Sequence, residues 1–155
     1  MLCGLVATIR DAALADMARL RDLYRRASLS NEGDRDNLLA HPEALEYSDE
    51  WVRQGRTRVA TLDGRIRGFA TAVHRRDDAL ELEDLFVEPD WMRRGIARAL
   101  VDDIVARARA ESVRRLDVIA NPHALAFYRA VGFVVDGVAE TGFGPGSRMH
   151  LDIEV

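Results

Sequence analysis

The sequence predicts a mixed α/β fold in which three antiparallel strands lead into a β-α-β unit. Three observations carry this. Segments 56–61, 66–73 and 80–87 are rich in apolar or alternating residues at strand length, and turn signals separate them. A run from Arg94 to Ala110 repeats apolar residues at helical spacing. Arg115 to Ala120 then follows as a short apolar strand. Two strands joined through a helix are expected to lie parallel with a right-handed crossover.

Taken in order, Val6 to Arg10 reads as a first strand. Asp11 is placed to cap a helix in which Leu14, Met17, Leu20, Leu23 or Tyr24, and Ala27 recur. Ser28 to Asp36 reads as a polar break, and Asn37 to Glu50 as a shorter helix interrupted near His41-Pro42. Asp63-Gly64 is a hairpin signal between the second and third strands, and Arg75-Arg76-Asp77-Asp78 turns into the fourth. Pro89 ends that strand. In the helix after it, Ile96, Leu100, Ile104 and Ala108 form one stripe, with Ala97, Val101 and Val105 beside it.

Asn121-Pro122 should start another helix, since Asn is a good N-cap and Pro suits the first helical position. Gly132 ends that helix, Phe133 to Ala139 is a strand, 141–146 is a glycine-rich loop, and Arg148 to Glu154 is the last strand. The expected order is β-α-α-β-β-β-α-β-α-β-β within one domain, residues 1–155. No internal repeat or linker interrupts it.

Composition narrows the function. The net charge is −4, which argues against a general nucleic-acid binder. All 22 basic residues are arginine, so a P-loop, which needs a lysine, is excluded. The single cysteine, Cys3, permits neither an internal disulfide nor a cysteine metal cluster and reads as an incidental thiol. No histidine and carboxylate stand at metal spacing, so no metal is expected. The apolar opening is too short for a signal peptide, and no run reaches the ~18 apolar residues of a membrane span. A cytoplasmic location and no membrane partner are expected. Residues 31–50 hold seven acids (Glu32, Asp34, Asp36, Glu43, Glu46, Asp49, Glu50) against one arginine. That is a solvated surface or an acidic rim that steers a cationic substrate.

Two motifs carry the chemistry. The first is Val87-x-Pro89-x-x-x-x-x-Gly95-x-Ala97, a strand end followed by a small-residue turn into a helix, with Arg93, Arg94 and Arg98 around it. Unpaired N–H groups and partial positive charge at such a helix start suit a phosphate. A nicotinamide-type dinucleotide site would want three glycines after a first strand, and only one is present here. The second motif is Asn121-Pro122-x-Ala124-x-x-Phe127-Tyr128-x-x-x-Gly132-Phe133, directly after the β-α-β unit.

Together these motifs resemble the GNAT superfamily of acyl-CoA-dependent N-acetyltransferases, over nearly the whole chain in element order and most strongly from Leu80 to Phe133. The resemblance implies a mostly antiparallel seven-stranded sheet with flanking helices, splayed between the fourth and fifth strands. It implies acetyl-CoA as cosubstrate and a small-molecule or peptide amine as acceptor, with a homodimer as one candidate assembly. Arg93, Arg94, Gly95, Ile96, Ala97 and Arg98 would hold the pyrophosphate. The backbone of Leu85, Phe86 and Val87 would bond the pantetheine amides, and Asn121 would stand near the cofactor. Met92 departs from the family's usual Gln or Arg at the start of the loop. Binding through backbone N–H groups makes that departure tolerable.

By the same resemblance Tyr128 protonates the leaving thiolate. A base is harder to assign. Glu83, then Glu81, share one face of the fourth strand where many family members carry a glutamate; Asp84 points to the other face. His74 and His150 are isolated histidines on strands. A different reading is a non-catalytic acyl-CoA-binding or sensing module, which keeps the Gly95 loop without needing Tyr128. An interaction protein that dimerises through its sheet edge is another.

Overall fold

The computed structural model describes residues 6–142 and 144–154; Cys3 lies outside them. Seven strands form a sheet in the order β1-β2-β3-β4-β5-β7-β6. They are β1 (Thr8–Asp11), β2 (Thr57–Leu62), β3 (Arg65–Arg76), β4 (Ala79–Val87), β5 (Arg115–Ala120), β6 (Val134–Thr141) and β7 (Gly144–Asp152). The α-helices are α1 (Met17–Leu29), α2 (Glu32–Ala40), α3 (Glu50–Arg53), α4 (Ile96–Ala110) and α5 (Leu125–Ala130). β1 with β2, β2 with β3, β5 with β7 and β6 with β7 are antiparallel. β4 and β5 are parallel, as the β-α-β unit requires. Their paired register runs from Ala79↔Arg115 to Leu82↔Val118, although β4 itself continues to Val87.

The chain divides into two compact units, residues 1–71 with 84–103, and residues 72–83 with 104–155. The first is built on α1, whose Met17, Leu20, Leu23 and Ala27 recur on one face and pack with Val52, Val59, Ile66 and Phe69. Gly68 of β3 is needed for its packing. A Cβ there would sit 3.0 Å from both Ile96 Cγ2 and the Phe86 carbonyl oxygen. In the second unit Leu80, Leu82, Leu116, Val118, Met149 and Ile153 are buried along the strands, with Ile104, Ala108 and Phe133.

Four local expectations are corrected. The first helix is not capped by Asp11: a 3-10 turn, Leu14–Asp16, precedes it, and Asp16 accepts the Ala13 N–H at 2.7 Å and the Arg10 guanidinium. Leu14 consequently lies off the buried stripe and is 48% exposed. The polar break after α1 is short, because α2 already begins at Glu32. Its polarity reflects exposure, and Glu32 and Asp34 in its first turn suit the helix dipole.

Residues 121–124 form a turn and α5 begins only at Leu125. Asn121 Oδ1 accepts the Ala124 N–H at 3.0 Å, so the Asn-Pro pair shapes the turn rather than the first helical turn. The expected glycine-rich loop is mostly strand: β7 starts at Gly144, paired with Thr141, and Phe143 lies outside the described residues. Gly146 serves close strand packing, since a Cβ there would meet Ile119 Cγ2 at 2.9 Å.

Candidate active site

Within the first unit, the turn into α4 has the backbone of an anion site. Arg93 and Gly95 have positive φ, 62° and 84°, on either side of Arg94. Such alternation turns successive N–H groups toward one concave side. It also moves the helix start from Arg94 to Ile96. The first helical bond into this turn is Ala99 N–H to the Gly95 carbonyl, at 3.0 Å. The N–H groups of Ile96, Ala97 and Arg98 precede it and have no acceptor one helical turn back.

Gly95 is exposed and a Cβ would meet nothing within 4 Å, so glycine is present there for its φ. Arg93 and Arg98 are exposed as well. Arg94 lies over the Trp91 ring at 4.7 Å, and Arg67 over the same ring at 4.1 Å. This stack props the turn, a role for Trp91 that the motif alone did not assign.

Past its pairing with β5, β4 and the residue after it direct three side chains the same way, one every two residues: Asp84, Phe86 and, just beyond the strand, Glu88. Asp84 accepts a hydrogen bond from the Tyr47 hydroxyl at 2.7 Å. Phe86 stands edge-on to Tyr24, 5.0 Å between ring centroids. Glu88, 3% exposed, is held by Arg19 and Arg26 of α1. Burial pushes the Asp84 carboxyl up, partly offset by hydrogen bonds from Tyr47 and Thr71. It also raises the Tyr47 phenol, and the Asp84 charge adds to that. Sequence reasoning put Asp84 on the correct face but missed this network, because Tyr47 lies 37 residues away. Leu85 and Val87, on the alternate positions, are half-buried.

In the second unit Tyr128 of α5 is 5% exposed, with the Phe133 ring 5.2 Å and the Phe127 ring 5.3 Å away. Burial holds its phenol well above the usual range, so it stays protonated through physiological pH. Glu81 is engaged by Arg75 at 2.6 Å, and Glu83 is exposed. Asn121 is exposed and occupied in the turn described above. His150 is bound to Asp136 at 2.5 Å, and Nε2 of His74 lies 3.8 Å from Glu111. Neither histidine joins the groups above. Among the described residues, no three metal-ligating side chains cluster.

A family model described as the acetyltransferase (GNAT) family matches residues 17–133. The chain belongs to the GNAT acetyltransferase family. Among its relatives, a protein of Oryza sativa subsp. japonica named serotonin N-acetyltransferase 2, chloroplastic, is 32% identical over 88% of this chain. A protein of Gracilaria tenuistipitata var. liui named uncharacterized N-acetyltransferase ycf52 is 28% identical over 44% of it. The chain's matches span 65% and 38% of those relatives' lengths.

The fold is shared with the PaiA N-acetyltransferase of Thermoplasma acidophilum in complex with coenzyme A, at a TM-score of 0.78 and 15% identity over 96% of this chain and 99% of that one. It is shared too with a phosphinothricin acetyltransferase of Sinorhizobium meliloti in complex with AcCoA, at a TM-score of 0.71 and 22% identity over 95% and 88%.

Proposed function

We propose that this chain moves an acetyl group from acetyl-CoA to a primary amine by direct attack, with both substrates bound together. The observation that carries the reading is the Arg93–Gly95 turn, where alternating φ and the unpaired N–H groups of α4 make an anion cradle inside a GNAT-family chain. The donor supplies an acyl group activated as a thioester. Leu85, Phe86 and Val87 offer strand backbone to the pantetheine amides. Arg93, Arg94 and Arg98 add charge-assisted bonds to the phosphates, with Gly95, Ile96 and Ala97 contributing N–H groups. Asn121 stands near the cofactor.

The Val87 N–H stabilises charge developing on the acyl oxygen. Tyr128 gives its proton to sulfur as the C–S bond breaks and recovers one from the attacking nitrogen. No cysteine stands in the motif region, which disfavours an acyl-enzyme.

The test is release of free thiol from acetyl-CoA against a panel of primary amines, arylalkylamines included because of the name of the rice relative. Tyr128→Phe is expected to lower kcat about 100-fold with coenzyme A affinity unchanged. Gly95→Glu is expected to abolish coenzyme A binding by placing a carboxylate and a strained φ in the cradle. Tight coenzyme A binding with no thiol released by any amine would instead make this a non-catalytic acyl-CoA-binding module.

A further inference from the structure

Asp84 is a half-buried carboxylate in an arginine-rich chain, yet among the described residues no arginine pairs with it. Four residues on, Glu88 holds two arginines. What Asp84 has instead are neutral hydroxyls and aromatic rings. Tyr47 donates to it, and the Tyr47 hydroxyl lies 3.3 Å from Thr71 Oγ1, which in turn lies 2.9 Å from Thr57 Oγ1. Tyr24 and Phe86 meet at 79°, making a corner of two ring faces, and Tyr24 and Tyr47 centroids are 5.0 Å apart.

All three rings are partly exposed, whereas Phe69 beneath them is fully buried. Tyr47 also borders an open cleft of about 760 Å³, lined by Asp22, Glu43 and Glu46 and by Arg21 and Arg25. Ring faces and a desolvated carboxylate attract an ammonium group, and apolar surface accommodates its stem.

We propose that Asp84, Tyr47, Tyr24 and Phe86 form the acceptor subsite, which takes a primary alkylammonium on an aromatic or other apolar stem, and that Asp84 rather than Glu83 removes its proton. The inference rests on the chain being an amine acetyltransferase. The balance is direct. Asp84 takes one proton from R–NH₃⁺, leaving R–NH₂ with a free pair. That pair forms the C–N bond as the C–S bond breaks, sulfur gains a proton through Tyr128, and Asp84 returns its own to solvent.

The titratable groups that interact with Asp84 are Tyr24 of α1 and Tyr47, both pushed upward by burial. Neither ionises in the working range, so of the three only Asp84 can account for a titration seen there. Tyr47 is a positioning residue. Its hydrogen bond favours the carboxylate form, and Tyr47→Phe should therefore move the acid limb of the pH profile to higher pH.

The test begins with calorimetry on the wild-type chain, using 2-phenylethylamine and its neutral counterpart 2-phenylethanol as probes. The amine should bind at least tenfold more tightly, and Asp84→Asn should erase the difference. In steady-state assays with acetyl-CoA, Asp84→Asn should lower kcat/KM about 100-fold and remove the acid limb, whereas Glu83→Gln should change it less than threefold.

Thermal melts of Asp84→Asn check that it folds, and the wild-type amine-against-alcohol comparison needs no variant. Equal affinity for the two probes in the wild type would overturn the subsite. Asp84→Asn with wild-type kcat/KM and pH profile would overturn the base. Charge-selective binding that depends on Asp84, without thiol release from any amine, would leave the subsite standing and bring down the transfer reading.

Discussion

The two halves of β4 belong to one strand but follow different rules. From Ala79 to Leu82 it is paired in register with β5, and Ala79, Leu80 and Leu82 are buried. Its one charged residue there, Glu81, is matched by Arg75. From Asp84 onward the chain buries polar groups instead: a carboxylate under a tyrosine hydroxyl, then, just past the strand, Glu88 under two arginines. Burying a charge carries a desolvation cost that its partners only partly offset, so the second half is where the chain gives up stability. The first half holds the sheet together, and the second is available for chemistry.

The largest expected effect lies in the paired half. Leu82→Ala should cost about 2–5 kcal/mol by leaving a cavity, while molecules that remain folded keep their activity per site. Denaturant unfolding together with active-site titration would check both halves of that statement. Next comes Glu88→Gln, which takes charge-assisted bonds from Arg19 and Arg26 and should cost about 1.5–3 kcal/mol. Gly68→Ala should cost about 1–3 kcal/mol, because the new methyl meets the Phe86 carbonyl and Ile96. It should also weaken coenzyme A binding, since that carbonyl lies on the strand proposed to bond the pantetheine. A coenzyme A affinity equal to wild type would separate the packing role of Gly68 from the site.

Asp84→Asn should behave in the opposite way, losing activity without losing stability. The folded carboxyl is raised by burial, so its contribution to stability is present at low pH and lost as pH rises through the folded value. Removing the charge should therefore open a gap in favour of the variant as pH climbs above about 4, the unfolded Asp value. Thermal melts of both proteins across pH 4–8 would show it, and a variant less stable at every pH would contradict the buried-charge account.

Much of this frame was legible in the sequence because it depends on local patterning. The apolar stripe Ile96, Leu100, Ile104, Ala108 is the buried face of α4, and Asp63-Gly64 is the hairpin turn, with φ of 53° and 71°. The tight turn before α4 was legible as well, since Gly95 sits between strand and helix. What local patterning does not carry is partnership. Asp84 is bound by a tyrosine that precedes α3 and two strands, and Trp91 is framed by Arg67 from β3. The glycines near β7 misled for a related reason. Gly146 answers to the proximity of Ile119 and not to a turn, and composition does not separate those two uses.

The smallest effect tests the comparison most cleanly. Glu81 and Asp84 lie on the same strand three positions apart, one in each half, and Glu81 was a base candidate from the sequence. Its partner Arg75 is half exposed, so the pair is screened by solvent, and Glu81→Gln should cost no more than about 1 kcal/mol. It should change kcat/KM less than twofold, at low and high salt alike. A loss of tenfold or more in kcat/KM, with the acid limb of the pH profile gone, would put the base in the paired half of β4. The carboxylate under Tyr47 would then be a structural cost with no chemical return.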